Sequence, residues 1–151
     1  MKNIIFLFLL ISTISYAQAE YDFAAATEAF SGQYELIKQR KGDLDCPNHL
    51  NVSYGESGGY RYIEFIGDSG EEGDFNESVA RPIDANDPSF PATEFEQVIN
   101  SKLLYQKIKP ILFRGVLSFK QKKNGQFSLF YKQRVLFEGT DKLCCRYEKL
   151  D

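Results

Sequence analysis

The sequence predicts an all-β domain: a small antiparallel up-and-down barrel, or a barrel-like sandwich, of 7–8 strands with a short N-terminal helix. Three observations carry this. After Gly32 apolar residues recur with period two, the alternation of half-buried strands. Turn residues such as Gly58-Gly59 and Asn124-Gly125 punctuate those runs. Beyond the first thirty or so positions no long helical stripe is visible. With 151 residues, 43% hydrophobic and 26% charged, the chain suits one globular domain and not a disordered segment.

The start of the chain reads as an export signal. Met1-Lys2-Asn3 precedes an apolar run over residues 4–14, and Ser15-Tyr16-Ala17-Gln18-Ala19-Glu20 follows. A basic start, a short apolar core and small residues at −3 and −1 predict a signal peptide over residues 1–19, cleaved after Ala17 or Ala19. The apolar run spans only about half a hydrocarbon core at roughly 1.5 Å per residue, too short for a membrane anchor. A secreted or periplasmic domain over residues 20–151 is expected, with no transmembrane segment after cleavage. It carries 17 basic and 21 acidic residues, a net of −4. No nucleic-acid footprint is present at that charge.

Export implies an oxidising compartment, so the three cysteines are disulfide candidates. Cys46 stands in the turn Asp43-Leu44-Asp45-Cys46-Pro47, whereas Cys144 and Cys145 are adjacent near the C-terminus. A bridge between those two would need a strained eight-membered ring, so Cys46 pairs with one of them. Alternation places Leu143, Cys145 and Tyr147 on one face and Cys144 and Arg146 on the other. With Cys46 taken as lying in a loop outside the core, Cys144 is the favoured partner and Cys145 the alternative.

Each element has a local reason. Residues 22–30 form a short helix with Asp22 as N-cap and Gly32 just past its end. Strands are expected over residues 34–39, 50–54 and 60–66, the last after Gly58-Gly59. Residues 67–91 are rich in Gly, Asp, Glu, Asn and Pro and predict a long loop, with a weak strand near 75–83. Thr93-x-x-Glu96 has the form of a capping box and predicts a short helix through Val98 and Ile99. Residues 103–108 form a strand ended by Pro110. Residues 111–122 and 126–137 form a long hairpin around Lys123-Asn124-Gly125, with Gly125 left-handed. That register pairs Lys122 with Gln126, Phe119 with Leu129, Leu117 with Tyr131 and Phe113 with Val135. It gathers Phe113, Leu117, Phe119, Phe127, Leu129, Tyr131 and Val135 on one face and Arg114, Lys120, Lys122, Lys132 and Arg134 on the other. A two-residue turn would mix the faces. Residues 143–150 supply the last strand.

Catalytic signatures are missing. His49 is the only histidine, with no second ligand or nucleophile motif beside it, and a hydrogen-bonded surface role is expected. No G-x-S-x-G, phosphate-binding glycine loop or HExxH occurs. The acidic stretch Asp68-Ser69-Gly70-Glu71-Glu72-Gly73-Asp74 offers oxygen ligands for calcium, but Gly70 sits where the third EF-hand ligand belongs and Val79 where the bidentate Glu belongs. A solvated loop is expected there, with no metal or other cofactor and no enzymatic activity. Asn51-Val-Ser53 and Asn76-Glu-Ser78 are glycosylation sequons of consequence only in a eukaryotic secretory route.

Charge is segregated along the chain. Residues 43–100 carry 2 basic and 13 acidic residues, a net of −11. Residues 101–151 carry 12 and 4, a net of +8. The hairpin register sets Arg114 opposite Arg134, so either the acidic loop or an anionic partner is expected over the basic face, unless solvent alone covers it.

A short helix, Gly32-x-Tyr34 opening the first strand and an up-and-down run of strands together resemble the lipocalin-like barrels. In that family a G-x-W motif plugs the closed end, and an Arg of the last strand stacks on the Trp. Here Tyr34 stands for the Trp and Arg146 for the Arg. The resemblance implies a lumen for a small apolar or amphiphilic ligand, walled by Phe113, Leu117, Phe119, Leu129 and Tyr131. A second resemblance is to the periplasmic lysozyme inhibitors. The segment Cys46-Pro-Asn-His-Leu50-Asn-Val52-Ser-Tyr54 looks like their Cys-to-strand opening, and Ser57-Gly58-Gly59-Tyr60-Arg61-Tyr62 like their Ser/Gly-rich loop. That one implies a protein partner. The expected function is non-catalytic binding of a small ligand, the alternative a protein-interaction module such as a lysozyme-type inhibitor.

Overall fold

The computed structural model describes residues 22–40, 42–68, 75–84, 87, 94–110 and 112–151. The expected signal peptide, Ser69–Asp74 of the acidic stretch and Thr93 of the expected capping box lie outside the described residues.

Residues 22–30 form a helix, α1. Phe23, Ala26 and Phe30 repeat on one face of it and are buried. Nine strands follow: β1 (Gly32–Arg40), β2 (His49–Ser57), β3 (Tyr60–Asp68), β4 (Phe75–Pro82), β5 (Phe95–Asn100), β6 (Leu103–Ile108), β7 (Phe113–Gln121), β8 (Phe127–Val135) and β9 (Gly139–Lys149). They form one antiparallel sheet in the order β4-β3-β2-β1-β9-β8-β7-β6-β5. Sequence neighbours are therefore sheet neighbours except β4 and β5, which form the two edges, and β1 joins the first run of strands to the last by pairing with β9.

The sheet curls, and its two ends are linked by side chains. Gln97 Nε2 on β5 donates to the Ala80 carbonyl on β4 at 2.9 Å and to Gln106 Oε1 at 2.7 Å. Gln106 Nε2 on β6 donates to the Ser78 carbonyl at 3.2 Å. These amides take up carbonyls that an edge strand would otherwise leave to water or to another chain.

Nine strands replace the expected 7–8. The weak strand near 75–83 is β4, and the helix expected after Thr93 is corrected to β5. The spacing 95, 98, 99 reads as one helical face, whereas 95, 97, 99 reads as one strand face. Pairing with β6 decides between them: Ile99 is buried, and Val98 is left on the outer side. The long hairpin has the expected register throughout, including Phe119 opposite Leu129 and Arg114 opposite Arg134. Its turn closes through Lys122 N donating to Gln126 O at 2.7 Å, with Gly125 at φ +81°. The Gly58-Gly59 stretch likened to a Ser/Gly-rich loop is a two-residue turn with φ +58° and +82°, and Ser57 pairs directly with Tyr60.

The interior is aromatic. Phe119 lies 5.6 Å from Phe30, 5.3 Å from Tyr34, 5.4 Å from Phe65 and 5.6 Å from Phe127 between ring centroids. Tyr34 and Phe65 meet Phe119 edge to face and Phe127 stacks on it, arrangements that ring quadrupoles favour. The Tyr34 hydroxyl donates to the Phe30 carbonyl at 2.6 Å, tying β1 to the end of α1. Burial drives the Tyr34 hydroxyl pKa well above its ordinary value, so the group stays a neutral donor.

The disulfide joins Cys46 to Cys145, with 5.8 Å between Cα atoms, and not to Cys144. The reason is that Cys46 is not outside the core. Its loop folds under β9: Asp43 N and Leu44 N both donate to Lys142 O, and Tyr147 Oη donates to Pro47 O at 3.0 Å. Cys46 and Pro47 are consequently buried against the inner side of β9, the side on which Leu143, Cys145 and Tyr147 lie. Gly67 permits this approach, because a Cβ there would come within 2.4 Å of the Pro47 ring.

Candidate functional site

Sheet alternation sends the side chains of the basic strands outward while their neighbours fill the interior. The register then fixes which cations stand together. Across β6, β7, β8 and β9, Lys107, Val116, Lys132 and Lys142 form one cross-strand row. Arg114 and Arg134 form the next row towards the β8–β9 turn. Lys38, Arg146, Ser128 and Lys120 form a row across β1, β9, β8 and β7. Cross-strand neighbours have Cβ atoms about 5 Å apart, so these like charges are held together by the backbone.

Two grooves lie on this face. One, of about 420 Å³, has Val116 and Gly115 between Lys107, Lys109, Arg114, Lys132 and Arg134. The other, of about 220 Å³, is lined by Lys38, Arg40, Lys120, Lys122 and Arg146 around Ser128, Phe130 and the free thiol of Cys144. Crowding lowers the Lys122 pKa below its ordinary value, with Arg146 the foremost cause and Arg40 and Lys120 contributing. Among the described residues the ion pair on this face is Lys109 with Glu96, at 3.9 Å. Lys142 Nζ sits 5.9 Å over the Phe130 ring. Of the acidic residues, Glu35 and Glu148 face one another at the far end of β1 and β9.

The inner-facing residues expected to wall a lumen differ in exposure. Leu117, Phe119, Leu129 and Tyr131 are all buried in the core, Tyr131 at 7% exposure the least so. Phe113 and Tyr131 lie towards the end of the sheet away from α1, where Phe113 is 37% exposed. There Tyr131 meets Phe75 edge-on at 5.4 Å, and its hydroxyl reaches both Gln133 Oε1 and the Glu77 carboxyl. Burial raises the Glu77 pKa, the Tyr131 hydrogen bond opposing it. The same surroundings push the Tyr131 hydroxyl far above its ordinary value. Sequence reading missed Glu77, because period-two patterning marks apolar positions and β4 was only weakly legible.

The Arg146 expected over Tyr34 points outward in its row with Lys38 and Ser128. Lys149, three residues on and directly opposite Tyr34 in the register, takes that place, with Nζ 5.9 Å over the ring and 3.4 Å from the Ala29 carbonyl. The 2.7 Å clash that a Cβ at Gly32 would make with Lys149 Cε shows how closely this side chain lies over the start of β1.

His49 is exposed at the start of β2, opposite Glu35 and Asp68. Asn51 and Asn76 of the sequons are exposed on either side of Ile66 on the outer face of β2–β4. Among the described residues no cluster of His, Cys, Asp or Glu suits a metal ion, and no helix is long and apolar enough to cross a membrane. No family model matches the chain, and no curated protein or solved structure is similar to it.

Proposed function

We propose that the chain is an exported, non-catalytic binding protein whose ligand is a small amphiphile held at the end of the curled sheet away from α1. The observation that carries this reading is the Phe75–Tyr131–Glu77–Gln133 group, a polar cluster set against aromatic surface on the inner side of the sheet. An apolar body packs on Phe75 and Phe113, and a hydroxyl or carboxyl head exchanges hydrogen bonds with Glu77 and Gln133. The opposite end is occupied by α1 and Tyr34, so the inner surface is approached from one side. The likeness of the curled sheet to a lipocalin-type barrel supports the same reading.

Native mass spectrometry of the protein from its exported fraction, before delipidation, tests it. Extra mass released as one small molecule on denaturation is expected, and Glu77→Gln with Tyr131→Phe should abolish it. A bare polypeptide mass from undelipidated material overturns it. The burial of Leu117, Phe119 and Leu129 in the core favours a second reading, a protein-interaction module of the lysozyme-inhibitor kind. Inhibition of lysozyme by the purified chain would establish that alternative.

A further inference from the structure

The turn between β8 and β9 places a large apolar ring where no packing holds it. Phe137 is 98% exposed, and its φ is +71°, a region that L side chains of this size rarely occupy. Glycine or asparagine would fit that backbone at lower cost. Leu112 is 69% exposed, and Leu136 N donates to its carbonyl at 3.0 Å, so the two apolar residues share one end of the hairpin. The core gains nothing from either. Immediately behind them stand Arg114 and Arg134, opposite one another, and the basic groove that they share with Lys109 and Lys132.

We propose that this end of the molecule docks on an anionic lipid bilayer, with Phe137 and Leu112 entering the headgroup region and the arginine row meeting lipid phosphates. Charge complementarity supplies the first argument, since the described residues give Arg114 and Arg134 no ion pair. Position supplies the second. Phe137 lies in the turn that follows β8, closed by Glu138 N donating to Val135 O at 3.1 Å, so the ring stands beyond the arginine row at the end of the strands, and an exposed apolar group at such an end can enter the interface. The order of groups supplies the third: apolar tip outermost, cations one step behind, as the acyl boundary and the phosphates are layered. A soluble polyanion would use the cations and leave Phe137 and Leu112 without a role.

The chain contains no tryptophan, so Phe137→Trp makes a single reporter at the tip of the full-length protein. It is mixed at low salt with vesicles of phosphatidylcholine and phosphatidylglycerol, about two to one, and with phosphatidylcholine alone. The anionic vesicles are expected to shift the emission to the blue, and brominated acyl chains to quench it. Arg134→Gln in that background should weaken partitioning roughly fivefold, the share of one cation near an anionic surface. Cosedimentation of the parent chain should fall at least tenfold with Leu112→Ser and Phe137→Ser together. Thermal melts check that each variant is folded. An unshifted, unquenched emission from a folded Phe137→Trp protein overturns the proposal. So does full cosedimentation of the Leu112→Ser, Phe137→Ser protein, which would show that the cations alone hold the vesicle surface and that the apolar pair does not enter it.

Discussion

Residues 43–100 and residues 101–151 contribute to one aromatic core but differ in sign, −11 against +8, and in where their charges sit. In the acidic part many carboxylates belong to connections: Asp43 and Asp45 before β2, and Asp84, Asp87 and Glu94 between β4 and β5. In the basic part most cations belong to strands, pointing outward in cross-strand rows. Charges in connections can move apart. Charges on strands cannot, because the ladder fixes each about 5 Å from its neighbour. The meander keeps the two kinds separate, and β1 alone crosses over, adding Lys38 and Arg40 to the basic face beside β9. A cluster of like charge kept on a rigid scaffold is the feature that distinguishes one half from the other.

The strongest way to break the comparison is to untie the halves. The Cys46–Cys145 bridge fastens the loop before β2 to β9 across a separation of 99 residues. Cys145→Ser, or Cys46→Ser, should lower stability by about 3–5 kcal/mol in denaturant titration. Cys144→Ser, outside the bridge, should change it by less than about 0.5 kcal/mol. Equal losses from Cys144 and Cys145 variants would mean that the bridge does not hold the sheet.

A smaller effect is expected at the β8–β9 turn. Phe137→Gly relieves the positive φ and should raise stability by about 0.5–1 kcal/mol, read as a higher midpoint, while vesicle binding is lost. A drop in midpoint would show that the ring packs on something.

Glu77 sharpens the contrast from the acidic side, because it is a carboxyl turned inward. Burial raises its folded-state pKa above the unfolded value, so the folded form holds its proton more tightly. Its contribution to stability is therefore fully present below the ordinary carboxylate pKa and is lost as pH rises through the raised one. Glu77→Gln should flatten that fall and raise the midpoint at neutral pH. A variant that keeps the parent's pH profile would assign the dependence to another group.

The smallest effect tests the rows themselves. Arg134→Glu or Arg114→Glu alone replaces a like pair with an opposite one and should stabilise by about 0.2–1 kcal/mol, whereas both together should return near the parent. Additive gains in the double variant would mean that the two side chains do not interact.

Period two and turn chemistry determined much of this protein from sequence alone: α1, the positions of seven strands and the full register of β7 with β8. In that hairpin a one-residue slip would carry Arg114 and Lys132 inward and Leu117 and Phe119 out. The basic face was legible for the same reason, since strand parity and turn length suffice to name its members on β7 and β8. Tertiary structure decided the rest. Local spacing is equally consistent with helix or strand at residues 95–99, and only β6 chooses. The partner of Cys46 depends on a loop folding under β9 past Gly67, and the residue over Tyr34 on a register between the first strand and the last. Glu77 meets Tyr131 through the curl of the sheet. Each of these is a contact between segments far apart in the chain, and local periodicity carries no information about which distant surface a segment will meet.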